Sequence, residues 1–176
     1  MNKIPTKIEG AYILEFHKYE DERGKLVRIF DEEFLKAQKI QMDIVQSYIS
    51  YSKEKSTLRG IHCQVAPKAE KKIGRCIKGS VYEVIIDLRK ESPTYKEWQG
   101  FELKADDDKS LFVPEGVGHA ILILENDTAF LTLSSAPFSP ECEIGVRYND
   151  PTFNIQWPIP IKNVSEKDLS WEDFKP

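Results

Sequence analysis

The sequence predicts an all-β domain, a sandwich or barrel of short strands, and three observations carry that expectation. Runs of roughly four to eight residues rich in Val, Ile, Tyr and Phe recur along the chain. Turn signals built from Gly, Pro, Asp, Asn and Ser separate them about every eight to twelve residues, the spacing of sandwiches and barrels. Helix signals are confined to two short stretches, so the alternation of strand and long helix that marks a parallel α/β sheet does not arise.

Taken in order, Tyr12 to Phe16 is an aromatic and β-branched strand, closed by the polar cluster Lys18 to Gly24, in which Asp21-Glu22-Arg23-Gly24 reads as a turn. Lys25 to Phe30 is another strand. Asp31 is placed to cap a short helix whose Phe34, Leu35, Ala37 and Ile40 share one face. Ile44 to Tyr51 alternates as a strand and ends in the polar run Ser52 to Ser56. The stretch Leu58-Arg59-Gly60-Ile61-His62-Cys63-Gln64 is strand-like, and Pro67 to Lys72 is a charged loop. Ile73 to Ile77, a turn at Lys78-Gly79-Ser80 and Val81 to Leu88 read as a hairpin. Val81 to Ile86 is apolar enough to be a central strand buried on both faces. Tyr95 to Leu103, Ser110 to Val113, Ala120 to Leu124, Thr128 to Leu133 and Ile144 to Tyr148 complete the strands, with Asp106-Asp107-Asp108 as a solvated turn rather than a calcium loop. Ser165, followed three residues later by Asp168, opens a short terminal helix. Residues 1–176 are expected to form one domain with an N-terminal strand arm and a short helical tail.

A chain of 176 residues can bury most of its apolar surface without staples. Its net charge of -4, with both signs interspersed, argues against nucleic acid or an anionic membrane as partner. Three cysteines (Cys63, Cys76, Cys142) without paired spacing fit a reducing compartment. No apolar run reaches membrane-spanning length and residues Met1 to Gly10 hold no signal-like apolar core, so a cytoplasmic protein is expected.

The chemistry gathers around Arg59, Gly60 and His62. A regular strand sends Arg59 and His62 to opposite faces; for both to serve one cavity the backbone must bend between them, and Gly60 permits a bulge or close approach there. The bland alternative is a kinked edge strand carrying a surface histidine. Pro114-Glu115-Gly116-Val117-Gly118-His119 is similar to the second half of the cupin motif, whose jelly-roll barrels hold ligands in their mouths. The first half supplies His62 alone, followed by Cys63 and Gln64, so neither a metal nor another cofactor is expected. Metal-free chemistry then falls to an imidazole able to take a proton near neutral pH, a carboxylate partner, and a lysine such as Lys72 to stabilise an oxygen on which charge develops. These parts suit removal of a proton beside a carbonyl. Alone, each has an ordinary role: His119 in a turn, Lys72 in solvent, Asp168 at a helix cap.

Read together, the L-R-G-I-H-C-Q stretch, the block from Lys71 to Tyr95, V-P-E-G-V-G-H-A, and R-Y-N-D-P-T-F-N-I-Q-W-P resemble the dTDP-4-dehydrorhamnose 3,5-epimerase family over nearly the whole chain, from Asp21 to Asp168. The resemblance implies a cupin-like jelly-roll barrel (double-stranded β-helix) with a few short helices. It also implies a homodimer with exchanged N-terminal strands, acting without metal on a nucleotide-diphosphate-linked 4-keto-6-deoxy sugar. Position by position it implies His62 as the base, Asp168 as its carboxylate partner and Lys72 as stabiliser of the enolate oxygen. Arg59 and His119 would bind the sugar and diphosphate. Gln46, Glu143 and Arg23, the last reaching from the partner subunit, would contact the nucleotide, with Phe138 stacked on the base. Where the family carries a catalytic tyrosine this sequence has Thr132, and Arg28 stands where the family tends to carry a glutamate. The expected function is therefore epimerisation next to the ketone at one centre, C3 favoured. The alternatives are a full 3,5-epimerase with a substitute acid such as Tyr48 or Tyr51, and a barrel that binds a nucleotide sugar without turning it over.

Overall fold

A computed structural model describes residues 1–175. Its strands are β1 (Asn2–Pro5), β2 (Tyr12–Glu15), β3 (Lys18–Asp21), β4 (Gly24–Val27), β5 (Gln46–Ser52), β6 (Thr57–Gln64), β7 (Lys72–Lys78), β8 (Ser80–Asp87), β9 (Trp98–Lys104), β10 (Lys109–Val113), β11 (Val117–Ile123), β12 (Thr128–Ser134), β13 (Glu143–Gly145) and β14 (Asn163–Val164). Two short helices, α1 (Glu32–Ala37) and α2 (Glu166–Leu169), interrupt them. The strands form a jelly roll of two sheets, in the orders β1-β2-β10-β7-β12-β5 and β13-β6-β11-β8-β9, with β14 parallel to β6. Hydrogen bonding does not close either sheet on itself; the expected jelly roll is made by the two sheets packed together.

Burial explains the layering. Ile13, Val81, Ile85, Leu111, Ile121 and Phe130 belong to one buried cluster that draws on both sheets. A second cluster joins Phe34 and Leu35 of α1 to Leu14, Ile73, Phe112 and Leu133 of the first sheet, so the helix caps that sheet. In a third, Phe153, Trp157, Ile159 and Phe174 of the C-terminal segment pack with Val84, Ile86 and Leu122 of the second sheet. This is why β8 is buried on both faces, as its apolar run predicts. Asp31 caps α1 by accepting the Phe34 N–H at 2.8 Å, and Ser165 caps α2 by accepting the Asp168 N–H at 3.1 Å, both as their positions in the sequence foretell.

Three expectations change. β7 and β8 are consecutive but are not a hairpin: β7 pairs with β10 and β12, β8 with β11 and β9. Their single connecting residue, Gly79 at φ +76°, turns the chain from one sheet to the other. Apolar periodicity reports which residues are buried and is blind to which strand they pair with. The polar cluster after Phe16 is the strand β3, paired with β4 as an exposed ribbon that leaves Tyr19 and Leu26 about 58% and 62% exposed. Asp108 is not solvated, for it receives Lys25 at 2.9 Å, Arg75 at 2.8 Å and Lys18 at 3.6 Å, tying the ribbon to the sheet. No helix among the described residues is long and apolar enough to cross a membrane.

The bend at Gly60 is present. His62 lies opposite His119 and Arg59 opposite Ile121, so two residues of β6 face the single Ala120 of β11. Gly60 sits at φ +100°, and a Cβ there would lie 2.5 Å from the His119 carbonyl oxygen. Gly60→Ala should therefore destabilise the fold by about 2–5 kcal/mol through strain and overlap together, read from a shifted urea midpoint.

Candidate active site

Two adjoining cavities open between the sheets, of about 560 Å³ and about 330 Å³, and share Tyr48, His62 and Lys167 in their walls. Arg59, His119, Thr132 and Asp168 line the larger, and Gln46, Glu70, Lys72, Phe138 and Glu143 the smaller. Every site residue expected from the sequence is thus brought to one cleft, except Arg23.

The bulge at Gly60 turns Arg59 and His62 toward the same space. The His62 Nδ1 lies 3.5 Å from Glu143 Oε1, and Lys167 Nζ holds the two oxygens of that carboxylate at 2.9 and 2.7 Å. Asp168 reaches the same cavity by a different contact. Its Oδ2 accepts the Gly60 N–H at 3.2 Å, and its buried Oδ1 has no hydrogen-bond partner among the described residues. The carboxylate within ion-pair range of the imidazole is therefore Glu143, and Asp168 acts on it through the field: burial and the Lys72 cation hold the His62 pKa below its ordinary value, while Glu143 and Asp168 pull it upward. The result is a neutral imidazole near neutral pH, with Nε2 free to take a proton.

His119 faces His62 across the strand pair, ring centroids 5.9 Å apart and edge to face. Its Nδ1 lies 3.1 Å from Oε1 of the fully buried Glu83. Burial pushes the Glu83 acid up to about 8, with Lys72 opposing, and burial with the Lys72 and His62 charges drives His119 well below its usual range. Both members of the pair are then neutral at pH 7. One hydrogen bond joins Glu83 to Nδ1 of His119, its donor set by the imidazole tautomer.

Lys72 is buried and paired with Glu70 at 2.7 Å, and Ser134 donates to the other Glu70 oxygen at 2.7 Å. Arg59 is held by the Ser52 hydroxyl and the Tyr51 carbonyl, each at 3.2 Å. Gln46 accepts the Phe138 N–H at 2.9 Å and so presents the exposed Phe138 ring, with the Lys167 ammonium 6.0 Å from its centroid. Arg23 lies at the tip of the β3–β4 ribbon, its side chain 85% exposed and paired only with Asp21. Arg28 pairs with Asp31 at the start of α1 and lines neither cavity.

Glu83, Glu70 and Lys167 were not among the residues expected from the sequence. A lone acid inside Val81-Tyr82-Glu83-Val84-Ile85-Ile86 is a usable signal, because a buried carboxyl in a central strand needs a partner. Glu70 and Lys167 carry no comparable sign. Among the described residues no group of three or more His, Cys, Asp or Glu side chains is arranged to hold a metal ion.

The family model described as dTDP-4-dehydrorhamnose 3,5-epimerase matches residues 5–176. A dTDP-4-dehydrorhamnose 3,5-epimerase of Shigella flexneri is 35% identical over 175 residues, covering 99% of this chain and 96% of the relative. The crystal structure of the Bacillus anthracis dTDP-4-dehydrorhamnose 3,5-epimerase with TDP and PPi bound superposes with a TM-score of 0.95 at 34% identity, covering 98% of this chain and 99% of that one. ChmJ, a 3'-monoepimerase from Streptomyces bikiniensis in complex with dTDP-quinovose, gives 0.88 at 30% identity over 96% of this chain and 85% of its own. With the model matched along nearly its whole length, the chain belongs to the dTDP-4-dehydrorhamnose 3,5-epimerase family.

Proposed function

We propose that this protein inverts a carbon next to the ketone of a nucleotide-diphosphate-linked 4-keto-6-deoxy sugar, C3 being the first centre, with His62 as base. The observation that carries the reading is a neutral, partly buried imidazole and a buried lysine in the walls of one cavity. His62 Nε2 takes the proton from carbon, and the electron pair moves onto the ketone oxygen. Lys72, held by Glu70, supplies the positive charge that this oxygen needs, a contribution of about a hundredfold to a thousandfold in rate. Glu143 and Asp168 stabilise the imidazolium once it forms. Arg59 and His119 bind the sugar and diphosphate end, and Phe138, presented by Gln46, stacks on the base. The names of the relatives, which act on dTDP-linked sugars, support that substrate class.

The reading includes a homodimer. The β3–β4 ribbon is exposed along its length and carries Arg23 away from the cavities of its own chain, as a group destined for a neighbour's cleft would be. In this reading the β3–β4 ribbon is the N-terminal element that crosses to the partner.

Incubated in D2O with dTDP-4-keto-6-deoxyglucose, the protein should place deuterium at C3, and His62→Ala should lower that uptake by about three orders of magnitude. Uptake unchanged in His62→Ala would remove His62 as the base. The acid limb of the kcat/KM profile should fall below the ordinary imidazole range, because the base must be neutral and its pKa is lowered. Lys72→Met, which deletes the depressing cation, should move that limb to higher pH, and Glu143→Gln, which deletes a raising anion, to lower pH. Finally, Arg23→Ala and His62→Ala are each expected to be nearly inactive, and mixing the two should restore activity through hybrid dimers. No recovery after subunit exchange would place Arg23 outside the partner's site.

A further inference from the structure

We propose that Tyr48 is the residue that returns a proton to the substrate carbon, on the face opposite His62. The inference rests on the epimerase reading above and supplies the acid which that reading lacks. Inversion requires two groups on opposite sides of one carbon. His62 stands on β6 in one sheet and Tyr48 on β5 at the edge of the other, and both line both cavities. A sugar ring lying between the sheets has one face toward each.

The placement follows from strand geometry. Gln46, Tyr48, Ser50 and Ser52 share one face of β5 by alternation; the first three line the cavities and Ser52 binds Arg59. Among the described residues Tyr48 is the only tyrosine in either wall. The competing donors are engaged or weak: Lys72 is tied to Glu70, Lys167 to Glu143, and the Thr132 hydroxyl is far less acidic than a phenol.

Thr132 adds the decisive neighbour. It lies directly opposite Tyr48 in the β5–β12 pair, where Cβ atoms are about 5 Å apart, so a phenol rooted at either position sweeps the same part of the cavity. The short threonine leaves room for a ring arriving from the adjacent strand. Tyr48 is about 40% exposed overall, and the desolvation of its hydroxyl at the cavity wall together with the Glu70 charge raises the phenol, so it keeps its proton throughout the neutral range.

The step balances without a co-reactant. The C–H bond breaks, its proton going to His62 and its electron pair into the enolate. The enolate carbon then takes the Tyr48 hydroxyl proton on the other face, and the ketone is restored. The imidazolium releases a proton to solvent and the phenolate gains one, so the net change is inversion alone.

The test separates inversion from exchange. In D2O with dTDP-4-keto-6-deoxyglucose, Tyr48→Phe should invert C3 at least about a hundredfold more slowly than the unaltered protein, while His62-dependent deuterium uptake at C3 persists with retained configuration. Tyr48→Phe combined with Thr132→Tyr should recover inversion at least about tenfold over the single variant, which a folding defect at Tyr48 would not do. Inversion by Tyr48→Phe within about threefold of the unaltered protein, or loss of inversion that the double variant does not recover, overturns the assignment while the epimerase reading stands. Absence of both exchange and inversion in the unaltered protein brings down the epimerase reading itself, and this assignment with it.

Discussion

Everything at this site depends on one close backbone approach, Gly60 against the carbonyl of His119. The approach requires a residue without a Cβ and with positive φ, and it opens a bulge of one residue in β6. Without the extra residue, Arg59 and His62 would point to opposite faces of the sheet. The bulge also frees the Gly60 N–H from the ladder, and Asp168 takes it. That bond docks the C-terminal helix on the strand that carries His62, and from the same turn Lys167 reaches Glu143. A local irregularity of the backbone thus organises a carboxylate more than a hundred positions away in the chain.

The charges in the cleft are costly to bury, and their arrangement says which states the site can hold. Lys72 is almost fully buried, where an unpaired ammonium would lose its charge or unfold the site, and Glu70 offsets that cost at 2.7 Å. A retained cation then disfavours a second one nearby, and both imidazoles respond in that direction. The outcome is the combination that the proposed enolate formation needs: an unprotonated imidazole and a fixed positive charge in one cavity. Two protonated histidines beside Lys72 would attract an anionic diphosphate strongly and remove nothing from carbon.

Much of this was legible in the sequence because the features were local. Asp31 and Ser165 announce their caps by position, the β8 run announces its burial, and a glycine between an arginine and a histidine announces the bend. Sheet membership was not legible: β7 and β8 look like a hairpin until the strands that pair with each are known, and pairing depends on segments distant in the chain. The pairing of His62 is a similar case. The resemblance implies Asp168, whereas the carboxylate at 3.5 Å is Glu143, because the Gly60 N–H created by the bulge is a donor that Asp168 satisfies. Composition cannot report which of two nearby acids wins such a competition.

The buried Glu83–His119 pair ties the chemistry of the cleft to the stability of the fold. The Glu83 acid sits at about 8 in the folded chain against an ordinary 4.5, so the folded state holds this proton more tightly than the unfolded one. The stabilisation is complete below 4.5 and drains away as pH rises through about 8. In the protonated form the acid can either donate to Nδ1 of His119 or accept from it, so both imidazole tautomers are compatible with the pair. Once the proton leaves, the carboxylate can only accept, and Nδ1 must carry the hydrogen. The second Glu83 oxygen has no hydrogen-bond partner among the described residues, a cost that is modest for a neutral acid and severe for an anion. One proton at the centre of β8 therefore governs both how firmly the second sheet is held and which tautomers its buried histidine can adopt.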